Sequence, residues 1–356
     1  MPEYKSKYYE EKENNYKSQL HALQKQLPRF MRSYLTDLEL SHQVRTSIAY
    51  TRELITFMKY LKESIPELKD TELTDIPFDI IETLTFEDIN DYQRYLSFND
   101  GVYEHSNGEH AIFRAMSALR SYFGFEVAHE HLIKNPTIGA AKKSRLKRKP
   151  IERLENDEVQ SLMNGVNKGN TGTKTSRQFA QKTLLRDKAI FTLLLGTGIR
   201  ISECAGLDIQ DVNFRDNCVR VVRKGGDIEN VYFNDDVADA LADYIDNERP
   251  AYIESEDEPA LFMSNRKQRM AVRSIQQMIK NYGKAVLAEP NLHPHTLRKT
   301  FGTNLYNATG DIRLVADMLG HKDINTTTEH YAAIKEKHRA QNTGINLYGD
   351  TFKKDE

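Results

Sequence analysis

The sequence predicts a mainly α-helical chain of two domains, with one small antiparallel β-element in the second half. Three observations carry that reading. Apolar residues recur at helical spacing through most of the 356 residues. β-rich runs cluster at one place, residues 217–223 and 229–234. The length corresponds to about two domains at roughly 150 residues each, and a dense cationic connector lies near the middle, at 142–153.

The elements follow in order. Residues 17–39 and 46–62 both carry helical apolar spacing, and Pro28 divides the first stretch because a proline removes a helical donor. In the second stretch Ile48, Leu54, Ile55, Phe57, Met58 and Leu61 fall on one stripe. Residues 64–84, interrupted by Pro66 and Pro77, read as a connector. Thr85 with Asp88 three residues on starts a helix that runs through Tyr92 and Leu96. Asn107-Gly108 marks a loop before a helix over 111–123, and Pro136 and Gly139 end the helical series. The connector KKSRLKRKPIER then holds seven cations against one Glu, a density that self-repels and extends. It reads equally as a solvated linker or as a strap on a polyanion. Helices follow at 154–164, 178–196, 202–207, 235–248, 272–287, 296–307, 311–319 and about 325–338, with a loop at 169–176. The two β-runs are joined by Lys224-Gly-Gly-Asp-Ile, a hairpin with glycine in the turn. This gives a first domain over 1–140, a basic linker over 141–153, a second domain over 154–341 and a tail over 342–356.

Lys and Arg total 50 against 52 Asp and Glu, a net charge of −2, so a strongly basic coat is excluded and a local basic face is not. The chain is 39% hydrophobic with 18 Tyr and 15 Phe, enough for real cores. Mean hydropathy is −0.66, no apolar run approaches membrane length, and the acid-rich N-terminus lacks the apolar region of a secretory signal. Two cysteines, Cys204 and Cys218, form no disulfide framework and predict reduced thiols in a cytosol.

Four clusters in the second half carry chemistry. Gly196-Thr-Gly-Ile-Arg-Ile-Ser-Glu places Arg200 and Glu203 three apart on a short helix, ordinarily a surface ion pair. Lys224 sits at the hairpin turn, flanked by Arg220 and Arg223. His293-Pro-His295-Thr-Leu-Arg298 opens a helix with His295 and Arg298 on one face. Leu319-Gly-His321 precedes Tyr331. Four histidines (His293, His295, His321, His330) raise the question of zinc, but neither HExxH nor paired CxxC spacing occurs. Two Arg, a Lys, two His and a Tyr suit metal-free phosphoryl transfer. Guanidiniums clamp the non-bridging oxygens, tyrosine serves as nucleophile once deprotonated, and a lysine protonates the departing oxygen.

The order Arg200, Lys224, His295-x-x-Arg298, His321, Tyr331 resembles the tyrosine recombinase (phage integrase) family. The surrounding wording is similar too: "LLLGTGIRISECAGLDIQDV", "VVRKGG", "HPHTLRKTFGTNLY" and "DMLGHKDINTTTEHY". The first half is similar to the family's helical core-binding domain, through "RTSIAYTRELITFMKYL" and "AIFRAMSALRSYF". The resemblance implies a C-shaped clamp on DNA, made of a SAM-like helical domain and an α-rich catalytic domain with a small antiparallel sheet. It implies that Tyr331 attacks the scissile phosphate to form a 3′-phosphotyrosyl link. Arg200 and Arg298 then bind the phosphate, Lys224 protonates the leaving 5′-oxygen, His295 assists the nucleophile, His321 hydrogen-bonds the phosphate and Glu203 orients the site. Neither metal nor ATP is implied. Strand exchange passes through a Holliday junction in a homotetramer on synapsed DNA, with a monomer or dimer when free and an accessory protein as an option. The linker cations Lys142, Lys143, Arg145, Lys147, Arg148 and Lys149, with Arg45, Arg114 and Arg120 on the first domain's helices, are candidate DNA contacts.

Within the family the direct helical start, without a small β-rich domain in front, favours the Xer branch, which resolves chromosome dimers in the bacterial cytoplasm at the nucleoid. A phage or transposon integrase is the runner-up; a type IB topoisomerase and a non-catalytic DNA-binding protein are more distant. His321 and Tyr331 stand ten residues apart, one more than is usual in the family. That turns a helical position by about 100°, so the loop before Tyr331 has to absorb it. The hairpin reads Arg223-Lys224-Gly225, where the family often has Gly-Lys-Gly. The apolar tail segment INLYGDTF is expected to dock on a neighbouring protomer, so that deletion after Gln341 uncouples cleavage from synapsis.

Overall fold

A computed structural model describes residues 7–97, 108–141, 153–223, 225–288 and 292–320. Lys224, His321, Tyr331, residues 142–152, the helix expected over 325–338 and the tail over 342–356 lie outside them. The chain divides into two units, Met1–Arg148 and Lys149–Glu356, a division that falls inside the cationic connector.

Among the described residues the regular elements of the first unit are helical: α1 (Lys7–Gln24), α2 (Arg32–Ser41), α3 (Val44–Ser64), α4 (Phe78–Thr83), α5 (Phe86–Ser97) and α6 (Glu109–Ala128). The six stripe residues expected of α3 are all buried, and α3 packs on both α1 and α6. Aromatic edges fill the core: Phe57 meets Tyr92 at 5.0 Å and Tyr34 meets Tyr122 at 5.3 Å between ring centroids. Such edge-to-face pairs add to the burial energy of the rings themselves. Pro28 does separate two elements, with a 3₁₀ turn at Arg29–Met31 between them. α1 begins well before the expected residue 17, because its first turns carry tyrosines and charges rather than an apolar stripe. Tyr8 and Tyr9 stack edge-on at 5.2 Å there. The connector over 64–84 contains two 3₁₀ turns and the short α4, whose Ile81 is buried.

The second unit holds α7 (Asn156–Asn167), α8 (Lys174–Lys182), α9 (Leu184–Thr197), α10 (Ile201–Cys204), β1 (Val212–Asn213), β2 (Cys218–Val222), β3 (Ile228–Tyr232), α11 (Asp235–Asn247), α12 (Val272–Val286), α13 (Pro294–Thr309) and α14 (Ile312–Met318). α9 is its axis, buried at Ala189, Ile190, Phe191, Leu193 and Leu194 and packed by α7, α11 and α13. The single helix expected over 178–196 is two helices that break at Thr183. Glu248, far away in sequence, accepts the backbone N–H groups of Leu185 (2.8 Å) and Arg186 (3.2 Å) and so creates a helix start there. α8 starts earlier than expected because the Thr173 hydroxyl caps it, accepting the Ser176 N–H at 3.2 Å. The sheet is antiparallel in the order β1-β2-β3, with Val219 opposite both Val212 and Val231. The mainly helical reading with one small antiparallel sheet holds; β1, two residues long, was too short to show as a pattern.

Candidate active site

The site begins where α9 stops. Gly198 takes a left-handed φ of 63° at the helix C-cap, and a Cβ there would stand 2.4 Å from the Phe301 ring. Only glycine fits such a turn. The turn delivers Arg200 to the start of α10. Glu203, 2% exposed, accepts the Arg200 backbone N–H at 2.7 Å and its guanidinium Nη1 at 2.8 Å. The pair at this spacing is therefore a half-exposed arginine on a buried carboxylate, not an ordinary surface ion pair.

Arg298 approaches from α13 and is 4% exposed. It donates through Nη1 to the Gly198 carbonyl at 2.6 Å and through Nη2 to the Leu319 carbonyl. Arg200 donates through Nη2 to the adjacent Gly320 carbonyl at 3.4 Å. The two guanidiniums thus converge on one short turn, residues 319–320, directly before His321 in the chain. His295 is exposed, one turn before Arg298 on α13. It lines a cleft of about 460 Å³ together with His293 and with Arg273, Gln277 and Lys280 of α12.

Sequence reading left one residue without a role. Arg223 is 6% exposed and bridges Glu203 (3.1 Å) and Glu229 (2.8 Å). Burial opposes its charge, but the Glu229 hydrogen bonds and the Glu203 carboxylate outweigh that and raise its pKa. The signal for it was the arginine standing where the family often has glycine; its partners were not legible. The neighbouring Arg220 pairs with Asp211 at 2.7 Å and braces β2.

Of the candidate DNA contacts in the first unit, Arg45 on α3 lies over the Tyr16 ring at 5.5 Å, and Arg114 on α6 pairs with Glu53 at 2.6 Å. Arg120 is half-buried on α6. All three sit on regular helices, and the first two already have partners within the unit. The six linker cations, Lys224, His321 and Tyr331 lie outside the described residues. Among the described residues, no helix is long and apolar enough to cross a membrane.

Comparison with known proteins places this geometry. The phage integrase family model matches residues 152–338. The tyrosine recombinase XerD of Staphylococcus epidermidis is 32% identical over 217 residues, 61% of this chain and 70% of the relative. XerC of Caldanaerobacter subterraneus subsp. tengcongensis is 30% identical over 288 residues, 78% of this chain and 75% of the relative. Among solved structures, the Tn1549 transposon integrase in complex with circular intermediate DNA aligns with a TM-score of 0.63. It is 22% identical and covers 91% of this chain and 98% of that one. XerH bound to palindromic difH substrate aligns with a TM-score of 0.62 at 18% identity, over 84% of this chain and 80% of that one. At these identities the structures establish the fold. With more than half its length matched by the family model, and with its arginines gathered at the turn before His321, the chain belongs to the phage integrase family, the tyrosine recombinases.

Proposed function

We propose that the chain is a site-specific recombinase of Xer type, a two-domain clamp that cuts and rejoins duplex DNA. The observation that carries the reading is the convergence of Arg200 and Arg298 on the 319–320 turn, with Glu203 buried behind Arg200. Two guanidiniums so held suit a phosphodiester whose non-bridging oxygens gain charge under attack. In the proposed step the Tyr331 Oη attacks phosphorus, the bond to the 5′-oxygen breaks, and that oxygen takes a proton from Lys224. His295 assists removal of the tyrosine proton, and His321 hydrogen-bonds the phosphate. The phosphotyrosyl link conserves the bond energy, so attack by a second 5′-hydroxyl reseals the strand without ATP. Synapsis of two sites in a tetramer and resolution of a Holliday junction follow.

The XerC and XerD relatives favour chromosome dimer resolution, in the cytoplasm at the nucleoid, over integration of a mobile element. The unit Met1–Arg148 would be the core-binding domain and Lys149–Glu356 the catalytic one, with the linker cations and the exposed face of α6 on the phosphate backbone. Binding through such contacts weakens steeply with salt. The test is covalent trapping on nicked suicide duplexes drawn from chromosomal dif-like sites and from the ends of mobile elements. An adduct mapped to Tyr331 by mass spectrometry and abolished by Tyr331→Phe is expected. Specific binding without an adduct would refute the enzyme reading, and adducts on element ends alone would refute the Xer one.

A further inference from the structure

Two glycines stand in the turn after β2. Gly225 and Gly226 have φ of 116° and 95° and carry no side chains. Arg223 closes its base: its N–H donates to the Asp227 carbonyl at 2.7 Å, and its carbonyl accepts the Gly226 N–H at 3.0 Å. The side chain then turns inward. Nη1 reaches Glu203 at 3.1 Å, Nε and Nη2 grip both Glu229 oxygens at 2.8 and 3.0 Å, and Nη2 also meets the Met318 carbonyl at 3.3 Å. A Cβ at Gly320, where φ is 58°, would stand 2.7 Å from the Arg223 Nε. The guanidinium therefore packs directly on the turn that receives Arg200 and Arg298.

We propose that Arg223 is a positioning residue for the leaving-group proton donor. It fastens the start of the Lys224 turn to the Arg200–Glu203 pair, so that one ionic joint sets the general acid and the phosphate clamp together. The inference rests on the recombinase reading above. Glu203 accepts Arg200 Nη1 through Oε1 and both the Arg200 N–H and Arg223 Nη1 through Oε2, which ties Arg200 to the residue that precedes Lys224 in the chain. The chemistry is unchanged: the phosphorus–oxygen bond breaks as the 5′-oxygen accepts the lysine proton. Arg223 touches no reacting atom and acts through the segments it holds, the start of the Lys224 turn above all.

The test compares two suicide duplexes, one with the natural bridging 5′-oxygen and one with sulfur in its place. A thiolate leaves without being protonated, so the sulfur duplex bypasses the general acid. Arg223→Met is expected to slow cleavage of the oxygen duplex by about 10- to 100-fold, the scale of a misplaced catalytic group. On the sulfur duplex the loss should be at least about fivefold smaller, because no proton transfer is required there and only the packing of Arg223 on the 318–320 turn is disturbed. Arg223→Lys should recover part of the loss, and Glu229→Gln, at a half-exposed partner, should give the same pattern in milder form. If thermal unfolding shows Arg223→Met to be misfolded, Glu229→Gln alone decides. Equal losses on both duplexes, or no loss on the oxygen duplex, would overturn the proposal while leaving the recombinase reading intact. Failure of the parent protein to form an adduct on either duplex would overturn both.

Discussion

Gly198→Ala tests the turn on which the site depends. Two penalties act on the alanine. The left-handed φ of 63° costs a residue with a Cβ about 1–2 kcal/mol. The added carbon would stand 2.4 Å from Phe301 Cδ1 and 3.0 Å from Leu319 Cδ2, so a ring and a leucine must shift, at about 1–3 kcal/mol for overpacking. The sum is about 2–5 kcal/mol, or a fall in Tm of about 5–15 °C for a domain of this size. Gly310→Ala is the control. It has nearly the same φ, 66°, with nothing within 4 Å of the new Cβ, so it isolates the conformational part. Urea unfolding of both variants separates the two penalties, and covalent trapping reads the consequence for Arg298, which donates to the Gly198 carbonyl. The reasoning is refuted if Gly198→Ala unfolds with the same midpoint as Gly310→Ala, or if it loses stability without losing cleavage.

Two further variants probe buried charge. Glu203→Gln leaves Arg200 and Arg223 facing a neutral amide in the interior, and urea unfolding should show a loss of about 3 kcal/mol, as when one partner of a buried pair is removed. Burial raises the Glu248 carboxyl above its ordinary 4.5, although the Leu185 and Arg186 N–H groups favour its charge. The folded chain thus binds that proton more readily than the unfolded one, so the parent gains on Glu248→Gln as pH falls through the raised value and loses as pH rises. The difference in Tm between the two proteins at pH 5 and pH 7 measures it; a constant difference would contradict the sign.

Local periodicity carried much of the fold. The α3 stripe was legible because one face of one helix buries it, and β2–β3 because the hairpin is a local object. What escaped the sequence was set by distant partners. The break at Thr183 depends on a carboxylate on the far side of α11, which no window around residues 178–196 contains. The burial of Glu203 beneath Arg200 escaped for the same reason, since its surroundings come from the end of β2 and from the turn after α14. Arg223 was visible as an oddity of composition, but its role lies in contacts to Glu203, Glu229 and Met318, three separate segments. Arg45 and Arg114 likewise have contacts that no local window shows, to Tyr16 and Glu53.

The backbone carbonyls at the centre of the site explain why its parts should fail together. Arg298 reaches Gly198 and Leu319, Arg200 reaches Gly320, and Arg223 reaches Met318 and packs on Gly320. Three guanidiniums are therefore indexed to three consecutive residues, and the next residue in the chain is His321. A displacement of that segment moves acceptors of all three arginines at once. Replacing any one arginine in turn removes a restraint on the segment that holds the other two. Effects of residues that act as such a unit are strongly non-additive. A double variant at Arg200 and Arg298 is accordingly expected to cleave little more slowly than the worse single variant, whereas independent phosphate ligands would multiply their losses.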